Sequence, residues 1–117
     1  NIYNKLYKSE IKNYLTKNDL NFDLFIFADV FIYMGKLNHI FDLIKSKNKK
    51  KGHLIFTIEL NENKNYFLEK TGRYSHSKNY IIRCLNELNY KVLKYININL
   101  RKYKNGYVKG ALILASF

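Results

Sequence analysis

The sequence predicts an α/β fold: parallel strands alternating with helices, finished by an antiparallel hairpin at the C-terminal end. Three observations predict it. Strand and helix patterns alternate along the chain, which calls for a parallel sheet with right-handed crossovers. Two apolar strands stop on carboxylates, Asp29 and Glu59, where an open α/β sheet keeps its ligand-binding crevice. Asn105-Gly106, lying between two strand patterns, is a hairpin turn signal because both residues tolerate positive φ.

The elements follow in order. Leu6-Tyr7-Lys8-Ser9 reads as a short strand, and a helix over residues 10–17 sets Ile11, Tyr14 and Leu15 on one side at i, i+3, i+4. A polar turn at 18–21 leads into a strand over 22–28. Its unbroken apolar run from Leu24 to Ala28 predicts burial on both faces, as in parallel sheets. Gly35-Lys36-Leu37-Asn38 breaks the pattern. A second amphipathic helix then carries Leu37, Ile40, Phe41 and Ile44 at i, i+3, i+4, i+7. The cluster Lys45, Lys47, Lys49, Lys50 and Lys51 falls in the expected helix-to-strand loop, which ends at Gly52 before the strand over 53–59.

Residues 60–77 show no clean period, contain Gly72 and lead into a third helix over 78–88. There Cys84 shares an apolar face with Tyr80, Ile81, Leu85 and Leu88, the position of a small core residue rather than a nucleophile. Asn89-Tyr90 ends that helix. Residues 91–101 alternate as Val92, Tyr95 (out of step), Ile96, Ile98 and Leu100, and the final strand returns over 107–116.

Composition bounds the function. A chain of 117 residues with 47% hydrophobic content suits one domain with a core of its own. The 21 Lys+Arg against 9 Asp+Glu give a net charge of +12, which makes nucleic acid a secondary candidate partner. Lys, Asn, Ile, Tyr and Phe are enriched together, the mark of coding DNA rich in A and T, so the charge alone does not define a function. A single cysteine excludes an internal disulfide and any multi-cysteine metal site. No apolar stretch approaches membrane-spanning length and no signal-peptide pattern opens the chain, so a soluble, reduced, cytoplasmic setting without membrane contact is expected. Asn1 stands where a Met would begin a complete chain, and a cut or incompletely recorded N-terminus is expected.

Several strings resemble one family in order. The segment from Phe22-Asp23-Leu24 through Ala28-Asp29-Val30-Phe31-Ile32-Tyr33 is similar to the fourth strand, and ligand-facing end, of class I S-adenosylmethionine-dependent methyltransferases. Lys51-Gly52-His53-Leu54 resembles the glycine turn into their fifth strand, and Gly72-Arg73-Tyr74-Ser75-His76-Ser77 resembles a segment of a bacterial predicted-methyltransferase subgroup often fused to tetratricopeptide repeats. The resemblance implies a Rossmann-like methyltransferase sheet whose last strand inserts antiparallel beside its neighbour. It also implies that residues 1–117 form the C-terminal part of a single domain. The family's glycine-rich turn after its first strand has no match, since Gly35, Gly52, Gly72, Gly106 and Gly110 form no cluster. The acidic residue after its second strand is absent as well. The first two strands are therefore expected to lie upstream, and the chain alone is expected to lack full cofactor binding and activity.

Carried over by resemblance, Ala28, Asp29 and Val30 line the methionine and ribose side of S-adenosylmethionine. Glu10 faces the adenine amino group, with the Ile11 amide toward the ring. Asp29 and an aromatic face such as Phe31 or Tyr33 suit a cationic sulfonium. A plainer account packs Phe31, Ile32 and Tyr33 under the following helix, and makes Ser9 a helix N-cap with Glu10 a first-turn carboxylate. On the acceptor side, Arg73 and Tyr74 are expected to bind substrate and His76 to serve as general base. The alternative has Ser77 capping the third helix and His76 on the surface. The acceptor's class is open.

Two other functions stay in view. One is a non-catalytic basic module contacting acidic partners such as nucleic acid. The other is a different parallel α/β nucleotide binder with its phosphate loop upstream.

Overall fold

The computed structural model describes Lys5 and residues 9–117; the expected opening strand falls on residues 6–9, of which 6–8 lie outside the described residues. The first element, α1 (Ile11–Lys17), is capped by Glu10, whose carboxylate oxygens accept from the amides of Lys12 and Asn13, each at 3.2 Å. Ser9 is therefore not the cap; its hydroxyl donates to the Glu10 carbonyl at 3.1 Å. Glu10 is the last extended residue (ψ 138°), so its longer carboxylate reaches two orphan amides at the positive end of the helix.

The main sheet has four strands in the order β1 (Leu24–Phe27), β2 (His53–Glu59), β6 (Gly106–Ser116), β5 (Lys91–Tyr103). β1 and β2 are parallel, with Phe27 opposite Phe56. β6 runs antiparallel to both neighbours, with His53 opposite Ser116 and Lys91 also opposite Ser116. The last strand thus inserts between its predecessor and the parallel pair, as expected. Register shifts between Val92 and Lys94, and between Asn99 and Arg101, explain the broken alternation of β5. The two loop residues of the hairpin are Lys104 and Asn105, and the positive φ (55°) falls on Lys104. Tyr103 pairs with Gly106, so the turn sits one residue earlier than Asn105-Gly106 suggested. A Cβ on Gly110 would run into the Leu100 side chain and the Ile58 carbonyl, which is why the strand crossing there carries glycine.

One face of the sheet carries the core. Phe25, Phe27, Leu54, Phe56, Ile58, Ala111, Ile113 and Ala115 alternate inward against the helices. From α2 (Asn38–Lys47) come Ile40, Phe41 and Ile44, joined by Leu37 just before it, all four fully buried as the helical spacing predicts. From α3 (Lys78–Glu87) come Tyr80, Ile81, Cys84 and Leu85; Ser77 caps this helix by accepting from the Tyr80 amide at 3.2 Å. Tyr90 closes the bottom of the core by donating to the Phe41 carbonyl at 2.5 Å.

The other face corrects an expectation. Leu24 and Ile26 are 47% and 65% exposed, so β1 is buried on one side only. All three described helices pack on the Phe25–Phe27 side, and no described residue pairs with the outer edge of β1. The lysine cluster is also only partly a loop, because Lys45 and Lys47 form the last turn of α2, where Lys45 Nζ donates to the Leu88 carbonyl at 2.6 Å.

Within the stretch without a period, a small hairpin forms from β3 (Tyr66–Leu68) and β4 (Tyr74–His76). It turns at Gly72 (φ 84°), where the left-handed backbone favours glycine.

Candidate functional site at the carboxyl edge of the sheet

Because β1 and β2 are parallel, their carboxyl ends open on one edge. β1 leaves the sheet through Asp29, held at φ 56°, a left-handed conformation that aspartate tolerates better than most residues. The Asp29 amide donates to Thr57 Oγ1 on β2 at 3.0 Å, which pins the turn to the neighbouring strand. The chain then dips into the core at Phe31 and Ile32, both buried, and returns to the surface at Tyr33, which is 70% exposed. The three residues of this 3₁₀ turn therefore do not share one role: Phe31 and Ile32 are buried, Phe31 with its ring against Phe41 of α2, and Tyr33 is not.

Four charged side chains meet at this edge. Arg101 on β5 donates through Nη2 to Asp29 Oδ1 at 3.2 Å and through Nη1 to Glu59 Oε2 at 3.4 Å. Arg73, just before β4, donates through Nε to the same Glu59 oxygen at 3.3 Å. One mostly buried carboxylate thus serves two guanidiniums. The register shift between Asn99 and Arg101 lies beside the residue that aims inward, the usual consequence of a bulge. Arg73's terminal amino groups bond to no described residue, leaving a planar fork of donors at the edge.

A second cluster surrounds Gly35. Its carbonyl accepts from His76 Nε2 at 2.8 Å, and a Cβ there would lie 2.9 Å from Tyr66 Cδ2 and 3.0 Å from Tyr74 Cε1. A carbonyl can only accept, so Nε2 carries the proton and Nδ1 presents a lone pair; that atom is buried and has no hydrogen-bond partner among the described residues. The imidazole lies nearly parallel to the Tyr80 ring, with centroids 6.1 Å apart. Burial holds its pKa below the ordinary 6.5, against the opposing pull of the Gly35 and Met34 backbone. His76 is therefore neutral at pH 7, and any proton it takes must go to Nδ1. It lies in a strand with no exposed surface, not on a loop and not on the surface.

The expected site residues separate into three places. Asp29 and Arg73 are joined through Glu59 and Arg101, with Ala28 and Val30 flanking Asp29 in the chain. Tyr74 and His76 border the Gly35 loop, which follows Tyr33. Glu10 and Ile11 open α1, where the Glu10 carboxylate caps the helix. Glu59 was visible only as a strand-ending carboxylate, and Arg101 had no sequence signal, because its partners come from two distant strand ends. Among the described residues no group of His, Cys, Asp and Glu could hold a metal ion, and no helix is long and apolar enough to cross a membrane.

No family model matches the chain, and no curated protein matches it in sequence. Solved structures do match. A S-adenosylmethionine-dependent methyltransferase from Methanosarcina mazei aligns with a TM-score of 0.66 at 12% identity, over 85% of this chain and 60% of that one. Magnesium protoporphyrin IX methyltransferase from Synechocystis aligns at 0.62 and 16% identity, over 87% and 48%. The N-methyltransferase NodS from Bradyrhizobium japonicum aligns at 0.64 and 16% identity, over 92% and 51%. The protein has the fold of the class I S-adenosylmethionine-dependent methyltransferases. It spans between 48% and 60% of the length of these three structures.

Proposed function

We propose that this chain is the C-terminal part of a methyltransferase domain and works in S-adenosylmethionine-dependent methyl transfer together with an upstream N-terminal half. The observation that carries the reading is the strand order, with antiparallel β6 set between β5 and a parallel pair that ends at Asp29 and Glu59. The outer edge of β1, unpaired among the described residues, and the bare apolar face at Leu24 and Ile26 support the second half of the proposal, because a completed domain would cover both. The neighbours, about twice as long, support it as well. The buried thiol of Cys84 suits a reduced, cytoplasmic setting.

S-adenosylmethionine, when bound, supplies an electrophilic methyl group on a cationic sulfonium. The residues present fit such a group: Asp29 offers an exposed carboxylate at a strand's carboxyl end, and Tyr33 offers a free aromatic face. Asp29, with the backbone of Ala28 and Val30, would hold its methionine and ribose side, and Glu10 and Ile11 its adenine. Phe31 keeps water out from below. The acceptor would rest against Arg73 and Tyr74. His76, expected from the sequence as general base, is fully buried with Nε2 on the Gly35 carbonyl, so its part would be to hold the Gly35 loop behind them rather than to touch the acceptor. Orientation of the acceptor supplies most of the rate in such a reaction, so a rigid edge matters more than a strong base.

Isothermal titration with S-adenosylmethionine tests both parts. Little or no binding is expected below millimolar concentrations for this chain alone, and much tighter binding for a polypeptide that joins it to its upstream half. Tight binding by the chain alone would refute the need for a second half. No binding by the joined polypeptide would refute the cofactor.

A further inference from the structure

The nine Asp and Glu residues all lie before residue 88. The last thirty residues carry Lys91, Lys94, Arg101, Lys102, Lys104 and Lys109 and no acidic side chain, so half of the net charge of +12 belongs to the β5–β6 hairpin. The asymmetry comes from the missing acids, since six cations in the last thirty residues is close to the density of 21 in 117 for the whole chain.

The hairpin also outruns the sheet. β2 ends at Glu59 opposite Gly110, and the last backbone contact to it is the Leu60 amide donating to the Lys109 carbonyl at 2.9 Å. Residues 101–108 have only each other as strand partners. At ~3.4 Å per residue they make an arm roughly 10 Å long, projecting past the edge where Asp29 and Glu59 lie.

Cations and aromatic faces are interleaved on this arm. Lys102 and Tyr107 are direct cross-strand partners and therefore share a face. Lys104 Nζ sits 5.4 Å from the centre of the Tyr103 ring. Tyr103 and Tyr107 are 48% and 50% exposed, and Lys102, Lys104, Asn105, Gly106 and Tyr107 line a shallow groove of about 250 Å³.

We propose that this arm binds single-stranded nucleic acid, with Lys102, Lys104 and Lys109 on phosphates and Tyr103 and Tyr107 stacked on bases. Phosphates supply charge and each unpaired base a flat face. Lys102 with Tyr107 on one face of the arm, and Lys104 with Tyr103, opposite Gly106, on the other, match both along a strand that passes over the tip. A duplex hides its base faces and would leave the tyrosines idle. An acidic peptide would satisfy the lysines but has no faces for the rings. The proposal stands independently of methyl transfer.

Fluorescence anisotropy on this chain, with labelled oligo(dT) and oligo(U) of about 20 nucleotides and a duplex of the same length, is the test. Lys102→Gln/Lys104→Gln is expected to weaken binding about tenfold at low salt and to reduce the log–log salt slope by about 1.4. Tyr103→Ala/Tyr107→Ala is expected to weaken it about tenfold with the slope unchanged. Lys49→Gln/Lys51→Gln removes the same charge elsewhere and is expected to change affinity less than about twofold. Circular dichroism verifies that each variant is folded. Tighter binding to either homopolymer than to duplex supports the proposal and names the preferred strand. Equal effects from the two lysine pairs, no effect from the tyrosines, a preference for duplex, or no binding at low salt would each overturn it.

Discussion

Arg101 Nη2 lies 3.2 Å from Asp29 Oδ1, joining the closing hairpin to the turn that ends β1 across 72 residues of sequence. The same guanidinium reaches Glu59 at the end of β2, so one side chain ties three strands at the edge of the sheet. The two bonds are not equal. The Asp29 carboxylate is 65% exposed and well screened by water, whereas that of Glu59 is only 10% exposed.

Removing Arg101 should therefore be felt mainly through Glu59. Arg101→Met keeps the stem of the side chain and is expected to cost about 1–2 kcal/mol, since Arg73 still satisfies Glu59 in part. Asp29→Asn, at the exposed end, is expected to cost less than about 0.5 kcal/mol. Urea denaturation of both variants checks the order. Equal losses would mean that the Asp29 contact carries nearly all that Arg101 contributes and the Glu59 contact little.

His76 makes stability depend on pH, and the direction can be worked out. Burial lowers its folded pKa below the 6.5 it has when exposed, so between those two values the unfolded chain binds more protons. Stability then rises with pH in that window and is fully present above 6.5. Acidification from pH 7 should weaken the fold, beginning near the ordinary histidine value, with a slope no steeper than about 1.4 kcal/mol per pH unit from this one group. His76→Gln should remove this component from melting curves recorded between pH 7 and pH 5. An unchanged pH profile in that variant would assign the effect to another group.

The helices were legible because their signal is local and periodic. Leu37, Ile40, Phe41 and Ile44 fall on one face of any α-helix, and all four are buried. Ser77 as a cap and Cys84 as a core residue follow from the same kind of pattern. The parallel pair and the antiparallel hairpin were legible from the alternation of elements and the turn signal, whereas the insertion of the last strand came only from the family resemblance. One-sided burial of β1 was not, because an unbroken apolar run looks the same whether or not its second face is covered. The three-residue strands β3 and β4 are too short to show a period. In the site, Asp29 and Arg73 were marked by position, but the groups that connect them were not. Arg101 meets Asp29 only after the sheet forms, and His76 is buried by a loop residue, Gly35, 41 positions earlier.

Phe31 and Tyr33, two residues apart, should respond oppositely to truncation. Phe31 is fully buried, 4.9 Å from the Phe27 ring, 5.3 Å from Phe56 and 5.7 Å from Phe41 by ring centroids. Phe31→Ala should cost about 3–5 kcal/mol. Tyr33→Ala removes a mostly exposed ring and should stay within about 0.5 kcal/mol of the parent. Calorimetric melting distinguishes the two. If Tyr33→Ala leaves stability intact yet weakens S-adenosylmethionine binding in the joined polypeptide, its ring belongs to the ligand; a large stability loss would return it to the core.

The bare side of the sheet should govern how the chain behaves by itself. Phe22, just before β1, and Leu24 and Ile26 on it are exposed, Ile96 is 45% exposed on β5, and the outer edge of β1 has no described strand beside it. An apolar strand with a free edge is a template for pairing with another copy. The net charge of +12 opposes that association, and salt screens the opposition within about 10 Å at 0.1 M. Self-association should consequently increase with added salt, the reverse of an association held by ion pairs. Ile26→Lys places a charge on the exposed face at the middle of the edge strand without touching the core. In sedimentation velocity at high salt it should shift the population toward monomer. A parent chain that remains monomeric at high salt and high concentration would mean the exposed face is too small to drive pairing, and association that survives Ile26→Lys would place the contact elsewhere.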